Sequence, residues 1–278
     1  MNIFDFHTHV FPEDVAGNRE KYFDDGGFRS LYDNEKSRLI SHAALLEEMG
    51  INGIAGALCM GFPWGHEERC RYQNEYLGMI AAENAGVLYA FGSVPFRDGS
   101  VYSTVEEISS LGLHGIGEIG FYGWDDAAAQ ERYLREIFDC AGTFTLPVCL
   151  HVNEPVGHRY PGKYDTSMAM LYDIIAGYPD VTVILAHWGG GILFYELMPE
   201  VKMAFGNVFY DTAATPYLYD PAVYSAALAI VSSRKILFGS DYPLLAPGRY
   251  YRAMEEQIFE QRDRENILFR NAMRILEG

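Results

Sequence analysis

Basic residues are scarce in this 278-residue chain: five Lys and 16 Arg stand against 38 acidic side chains, for a formal net charge of −17. A nucleic-acid backbone or an anionic membrane surface needs a clustered positive field, and this composition does not supply one. Long apolar runs are missing too. No stretch approaches the ~18 residues needed to cross a bilayer, and Met1-Asn2-Ile3-Phe4-Asp5 lacks the charged-then-apolar pattern of an export signal. A cytoplasmic protein is expected. Cysteine is limited to Cys59, Cys70, Cys140 and Cys149 at irregular spacings, so buried thiols in a reducing compartment are expected rather than a disulfide framework or a thiolate metal site. No Pro/Ser-rich linker, repeat or low-complexity tract divides the chain. With 49% hydrophobic residues to build a core, a single domain over 1–278 follows.

Short apolar, β-rich runs recur: Ile3 to His9, Ile51 to Met60, Val87 to Phe96, Gly115 to Tyr122, Pro147 to Asn153, Val181 to His187, Val208 to Ala213 and Ile236 to Asp241. Helix-length amphipathic segments separate them, among them Glu35 to Met49, Glu67 to Asn84, Ala127 to Cys140, Met168 to Ala176 and Pro221 to Ile230, with further helix from Arg249 onward. Alternating strands and helices imply a parallel sheet covered by helices. Eight such units in ~250 residues match an α/β fold of the (β/α)8 TIM-barrel type with an additional C-terminal helix. No Gly-rich phosphate fingerprint follows the first strand, which weakens a dinucleotide-binding sheet. Segment Glu13 to Asn34 reads as a long loop and a lid over the site.

Barrels of this type do their chemistry at the C-terminal strand ends. Strand one ends His7-Thr8-His9, and side-chain alternation points both imidazoles the same way. Strands five, six and eight end in His151, His187 and Asp241. Four histidines and an aspartate suit Zn²⁺ or a related divalent ion, with one position left for water. Glu118 lies inside the apolar, Gly-rich run Gly115 to Tyr122, where a carboxylate is costly unless paired, hydrogen-bonded or bound to a cation. It is a candidate ligand or metal bridge. His42, His66, His114 and His158 fall in helices or loops and are not expected to be ligands.

The blocks Asp5-Phe6-His7-Thr8-His9-Val10-Phe11-Pro12, Leu150-His151-Val152, Ala186-His187-Trp188-Gly189-Gly190 and Gly239-Ser240-Asp241-Tyr242-Pro243, with the closing Asn266 to Leu276, resemble the amidohydrolase superfamily. The resemblance is to its amidohydrolase-related (family 2) branch of metal-dependent barrel hydrolases and decarboxylases. It implies that His7, His9, His151 and Asp241 are metal ligands and that His187 is either a ligand of a second metal or a catalytic acid/base. The carboxylated lysine that bridges two metals in other branches has no counterpart here, and Glu118 instead resembles the bridging strand-four Glu of TatD-like hydrolases.

On this reading the expected activity is hydrolysis of a C–N or C–O bond of a small molecule by metal-activated water, with Asp241 moving the proton and His187 assisting. One or two divalent ions, zinc first and manganese or similar next, are the expected cofactor. The alternative is a metal-dependent decarboxylase of a small carboxylic acid, aromatic or not. Arg97 and Arg159, which follow strands three and five, are candidate substrate-binding cations for it. Trp64, Tyr122 and Trp124 are candidate aromatic walls. A TatD-like phosphoesterase or nuclease fits Glu118 but not the acidic strand-end loops, and a non-catalytic metal-binding barrel fits poorly with a site of this make-up. The expected partner is a small molecule, with no nucleic acid and no membrane; a homo-oligomer is left open.

Overall fold

The computed structural model describes residues 2–277. Eight parallel strands run in chain order: β1 (Phe4–His9), β2 (Gly56–Met60), β3 (Leu88–Ala90), β4 (Ile116–Ile119), β5 (Val148–Leu150), β6 (Val183–Leu185), β7 (Val208–Asp211) and β8 (Ile236–Leu237). They pair as β1-β2-β3 and β4-β5-β6-β7-β8, and backbone bonds bridge both seams. Gly92 N donates to Gly115 O at 2.9 Å between β3 and β4, while Phe6 N donates to Phe238 O at 2.8 Å and His9 N to Tyr242 O at 2.7 Å between β1 and β8. All eight sequence-predicted strands are present.

The helices follow from local chemistry. Asp126 caps Ala127–Phe144 by accepting from Ala129 N at 3.0 Å, and the buried Gln130, Tyr133, Leu134, Ile137, Phe138 and Ala141 repeat at the spacing of one helical face. Ser100 and Ser167 cap Val101–Ser110 and Met168–Gly177 in the same way. Gly53, at φ 65°, ends His42–Asn52 in the left-handed conformation that glycine adopts cheaply. That helix starts later than the expected Glu35 because residues 33–41 form neither helix nor strand.

Two apolar layers result. Phe4, Phe6, Leu58, Met60, Tyr89, Phe91, Cys149, Ile184 and Leu237 fill the barrel, and Ala272 of the C-terminal helix Asn271–Leu276 closes its base. The larger cluster lies between strands and helices. With the base plugged, only the C-terminal strand ends are open. All four cysteines are buried and free. Among the described residues no helix is long and apolar enough to cross a membrane.

The segment expected as a long lid loop is instead folded wall. It forms the helices Glu13–Gly17 and Gly26–Tyr32 with a 3₁₀ turn, Arg19–Tyr22, between them. Phe28 is fully buried, stacked on Trp64 with ring centroids 4.7 Å apart. Asp14 accepts from the hydroxyls of Tyr22 at 2.9 Å and Tyr72 at 2.7 Å. Arg69 pairs with Asp24. Aromatic packing makes the segment a fixed side of the site.

Candidate metal centre

Two β-bulges build the centre. In β1, Asp5 pairs with Ala57 and Thr8 with Cys59, so three steps on β1 span two on β2. Phe6 and His7 therefore share one position: Phe6 completes the barrel filling, while His7 and then His9 point at the mouth. In β4, Ile116 pairs with Val148 and Ile119 with Leu150, and the extra residue brings Glu118 to the same mouth. Such bulges re-aim side chains beside active sites. At the β1–β8 seam the buried Asp5 accepts from Ser240 N at 2.9 Å and Ser240 Oγ at 2.5 Å, which fixes the chain just before Asp241.

The donor atoms converge. His7 Nε2 is 3.1 Å from His9 Nε2, 3.7 Å from Glu118 Oε1 and 3.7 Å from Asp241 Oδ1. His9 Nε2 is 3.4 Å from Asp241 Oδ1 and 3.7 Å from Glu118 Oε2. Glu118 Oε1 also lies 3.0 Å from His151 Nδ1 and 3.5 Å from His187 Nε2, and those two nitrogens are 3.1 Å apart. The other nitrogen of each ring is engaged outside the cluster. His7 Nδ1 meets Asp211 Oδ2 at 2.8 Å, His9 Nδ1 meets Gly61 O at 3.2 Å, His187 Nδ1 meets Ala213 O at 3.1 Å and His151 Nε2 meets Asn153 Oδ1 at 3.2 Å. Each ring thus turns one nitrogen inward and has the other held by an oxygen, the outer support typical of metal-bound histidine. His7, His9 and Glu118, then His7, His187 and Asp241, then Glu118, His151 and His187 each place ligand atoms within 4.8 Å of one another. A divalent cation fits this donor set.

Electrostatics agree with that fit. Burial alone would push the His7 imidazole down, but Asp211, Glu118 and Asp241 carry it up to about 10. Burial opposes charge on His187 as well, and the Glu118 bond with the Asp241 charge raises it to about 9. Burial would lift both central carboxyls. Glu118 is nevertheless held well below its usual range by His151 and His7, and Asp241 is brought to about 2 by its bond to His9 and the charges of His7 and His187. The pocket stabilises positive charge at its centre.

Residues His187, Trp188, Gly189, Gly190 and Gly191 all have positive φ, from 57° to 93°. A Cβ at Gly190 would stand 2.4 Å from Asn153 O, so glycine is required for the chain to pass so close. Holding His187 and Trp188 left-handed costs about 1–2 kcal/mol each, the kind of strain functional sites retain.

Above the centre lies a cavity of ≈ 540 Å³. Tyr32, Phe62, Tyr122, Tyr160 and Tyr217 wall it, Lys36 and Arg38 stand at its rim, and His9, Glu118, His151, His187 and Asp241 form its floor. Of the expected aromatic walls, Tyr122 is in place. Trp64 is buried against Phe28, and Trp124 stacks on Phe96 outside the cavity. Arg97 and Arg159 do not line the cavity, which corrects the expectation that they meet substrate. Arg97 is exposed and lies over the Phe96 ring at 5.5 Å, and Arg159 is 71% exposed in a pair with Asp165. Position after a strand does not fix which way a loop residue turns.

The family model for amidohydrolases matches residues 4–278. The chain belongs to the amidohydrolase family. Its sequence is similar to 2-amino-3-carboxymuconate-6-semialdehyde decarboxylase of Dictyostelium discoideum, 22% identical over 334 residues covering 98% of this chain and 90% of that one. Its fold is similar to 5-carboxyvanillate decarboxylase of Novosphingobium aromaticivorans, complexed with manganese and 4-hydroxy-3-methoxy-5-nitrobenzoic acid, with TM-score 0.78, 15% identity and coverage of 100% and 96%. It is also similar in fold to 2,6-dihydroxybenzoate decarboxylase from Rhizobium, with TM-score 0.72, 17% identity and coverage of 100% and 99%. These neighbours share the barrel.

Two residues of this amidohydrolase-family site escape sequence reasoning. Asp211, fully buried at the end of β7, supports His7 and also accepts from His187 N at 2.9 Å and Ala213 N at 3.0 Å. The signal that singled out Glu118, a carboxylate inside an apolar strand-like run, is present at Asp211 in Val208 to Ala213 too. Arg38 lies in an irregular loop between β1 and β2, and nothing in the sequence marks it as facing the cavity.

Proposed function

We propose that the protein is a divalent-metal-dependent decarboxylase of a small aromatic or otherwise unsaturated carboxylic acid. The observation that carries this reading is the make-up of the cavity. In a chain of net charge −17, the space over the histidine–carboxylate floor has aromatic walls and a rim bearing Lys36 and Arg38, and the carboxylates lining it, Glu118 and Asp241, belong to the floor. A flat acid fits between aromatic faces, and a guanidinium fork takes a carboxylate or neighbouring anionic group. The decarboxylase relatives support the same class.

His7, His9, His151 and Asp241, with Glu118, would hold the ion, manganese or zinc. When bound, it supplies Lewis-acid charge that orients a carboxylate or adjacent hydroxyl of the acid and stabilises negative charge developing on it. The protein's own groups do the rest. Arg38 fixes the anionic end, and Tyr32 and Tyr122 belong to the aromatic walls that the ring lies against. Decarboxylation breaks the C–C bond to the carboxylate, leaves its electron pair on carbon, and places one proton there as CO₂ departs. His187, facing the floor, is the proton source. Asp241, ionised, orients the acid by accepting a hydrogen bond from its hydroxyl. Hydrolysis, expected from the donor set alone, would use the same floor with water as nucleophile; the basic rim and the decarboxylase relatives favour loss of CO₂.

The test is product analysis in D₂O. Manganese-loaded protein is incubated with a panel of ortho-hydroxybenzoic and related unsaturated acids and followed by ¹H NMR. Decarboxylation leaves deuterium on the carbon that carried the carboxylate. Turnover of ester or amide analogues, with every acid of the panel returned intact, would refute the reading.

A further inference from the structure

Leu31, Tyr32, Lys36, Ser37 and Arg38 line the cavity, yet residues 33–41 form neither helix nor strand. The turn has few internal ties: Ser37 N donates to Asn34 O at 2.9 Å and Lys36 N to Asn34 Oδ1 at 3.0 Å. Arg38 itself has one polar contact, to the Tyr242 hydroxyl at 3.2 Å, and lies over the same ring at 5.3 Å. Where its guanidinium sits therefore depends on where its backbone is held.

Arg19 holds it. From the 3₁₀ turn Arg19–Tyr22, one terminal nitrogen of its guanidinium faces three carbonyls of this segment: Ser37 O at 2.7 Å, Tyr32 O at 3.2 Å and Asn34 O at 3.3 Å. These bracket the turn from Tyr32, just before it, to Ser37, the residue before Arg38. Hydrogen bonds from a charged donor are the stronger kind, and here they tie an irregular segment to the aromatic wall built by Phe28 and Trp64. Arg19 does not line the cavity.

We infer that Arg19 is a positioning residue: it acts through the 32–38 segment to present Lys36 and Arg38 to the anionic end of the substrate, setting substrate affinity rather than the chemical step. The inference rests on reading the cavity as a carboxylic-acid site. It is tested with Arg19→Gln, Arg19→Lys, Arg38→Gln and the Arg19→Gln/Arg38→Gln double variant in the manganese-loaded protein. Amide hydrogen exchange is followed by mass spectrometry, and kcat and KM are measured with an acid the wild type decarboxylates. In Arg19→Gln, exchange over residues 33–38 should quicken at least tenfold while Glu67–Glu83 stays unchanged. KM should rise about tenfold with kcat within twofold, and Arg19→Lys, a point donor that serves fewer carbonyls, should recover part of the KM. In the Arg38→Gln background the further loss of Arg19 should leave KM nearly unmoved. Unchanged exchange at 33–38, a fall in kcat at constant KM, or a full tenfold effect persisting without Arg38 would each overturn the assignment. A wild type that decarboxylates no acid would instead sink the functional reading, and the exchange rates would still decide whether Arg19 holds the segment.

Discussion

Replacing Asp211 by Asn tests the outer support of the metal centre. The two side chains are nearly isosteric, so the fully buried site keeps its packing. Asp211 Oδ1 accepts from the backbone N–H groups of His187 and Ala213, and the amide oxygen of Asn must stay there to satisfy them. That leaves the amide NH₂ facing His7 Nδ1, 2.8 Å from the present carboxylate oxygen. A donor now meets the ring nitrogen that should donate. His7 is driven to the tautomer with its hydrogen on Nε2, the nitrogen pointing at His9, Glu118 and Asp241, and the lone pair offered to the ion is lost. Loss of such outer partners costs 10–100-fold in metal affinity, about 1.4–2.7 kcal/mol. The assay is competition with a chelating fluorophore, alongside thermal unfolding of the metal-stripped protein to confirm the fold. An Asp211→Asn protein that folds normally and binds the ion as tightly as wild type would refute a supporting role for Asp211.

In metal-stripped protein His7 keeps its proton up to about pH 10 and His187 up to about 9. Because both values lie above the ordinary imidazole range, the protonated forms prevail at pH 7 and disappear only as pH rises through 9–10. An ion needs the unprotonated nitrogens, so affinity should climb about tenfold per pH unit for each proton displaced; calorimetry at pH 7 in buffers of different ionisation enthalpy should count one proton released, or two if His187 also gives one up, and a count of zero would contradict a protonated His7 in the stripped site. Arg38→Gln should raise KM by roughly 10-fold or more by removing a charge-assisted hydrogen bond, while Arg97→Gln and Arg159→Gln should stay within about twofold, a contrast that steady-state kinetics resolves. Gly190→Ala sets a Cβ against Asn153 O at φ 58°. It should cost about 2–4 kcal/mol, seen as a Tm lower by roughly 3–7 °C.

The strands were legible because a parallel sheet buried on both faces writes each one as an apolar run, and a polar side chain closing such a run stands out. His151, His187 and Asp241 are visible in this way. The two bulges were not: nothing in Phe4 to His9 or in Gly115 to Tyr122 announces that three residues will face two on the neighbour, although the bulges decide where His7 and Glu118 point. Asp211 carried a readable signal, hidden only because it serves another side chain. The basic rim was out of reach. Arg97 and Arg159 follow strands and turn outward, whereas Arg38 follows a segment whose path depends on aromatic packing between Phe28, Phe62 and Trp64 and on the distant guanidinium of Arg19, contacts that no local periodicity encodes.

The most direct measurement of the central claim is release of ¹³CO₂ from carboxyl-labelled aromatic acids as metal is titrated into stripped protein, with Asp241→Asn in parallel. A metal-dependent decarboxylase should release no label without metal, then release it in proportion to bound ion until the site is full, and the variant should release none at any metal level. Label release that survives complete removal of the ion, or fully loaded protein that frees no ¹³CO₂ while cleaving amides or esters, would contradict the claim.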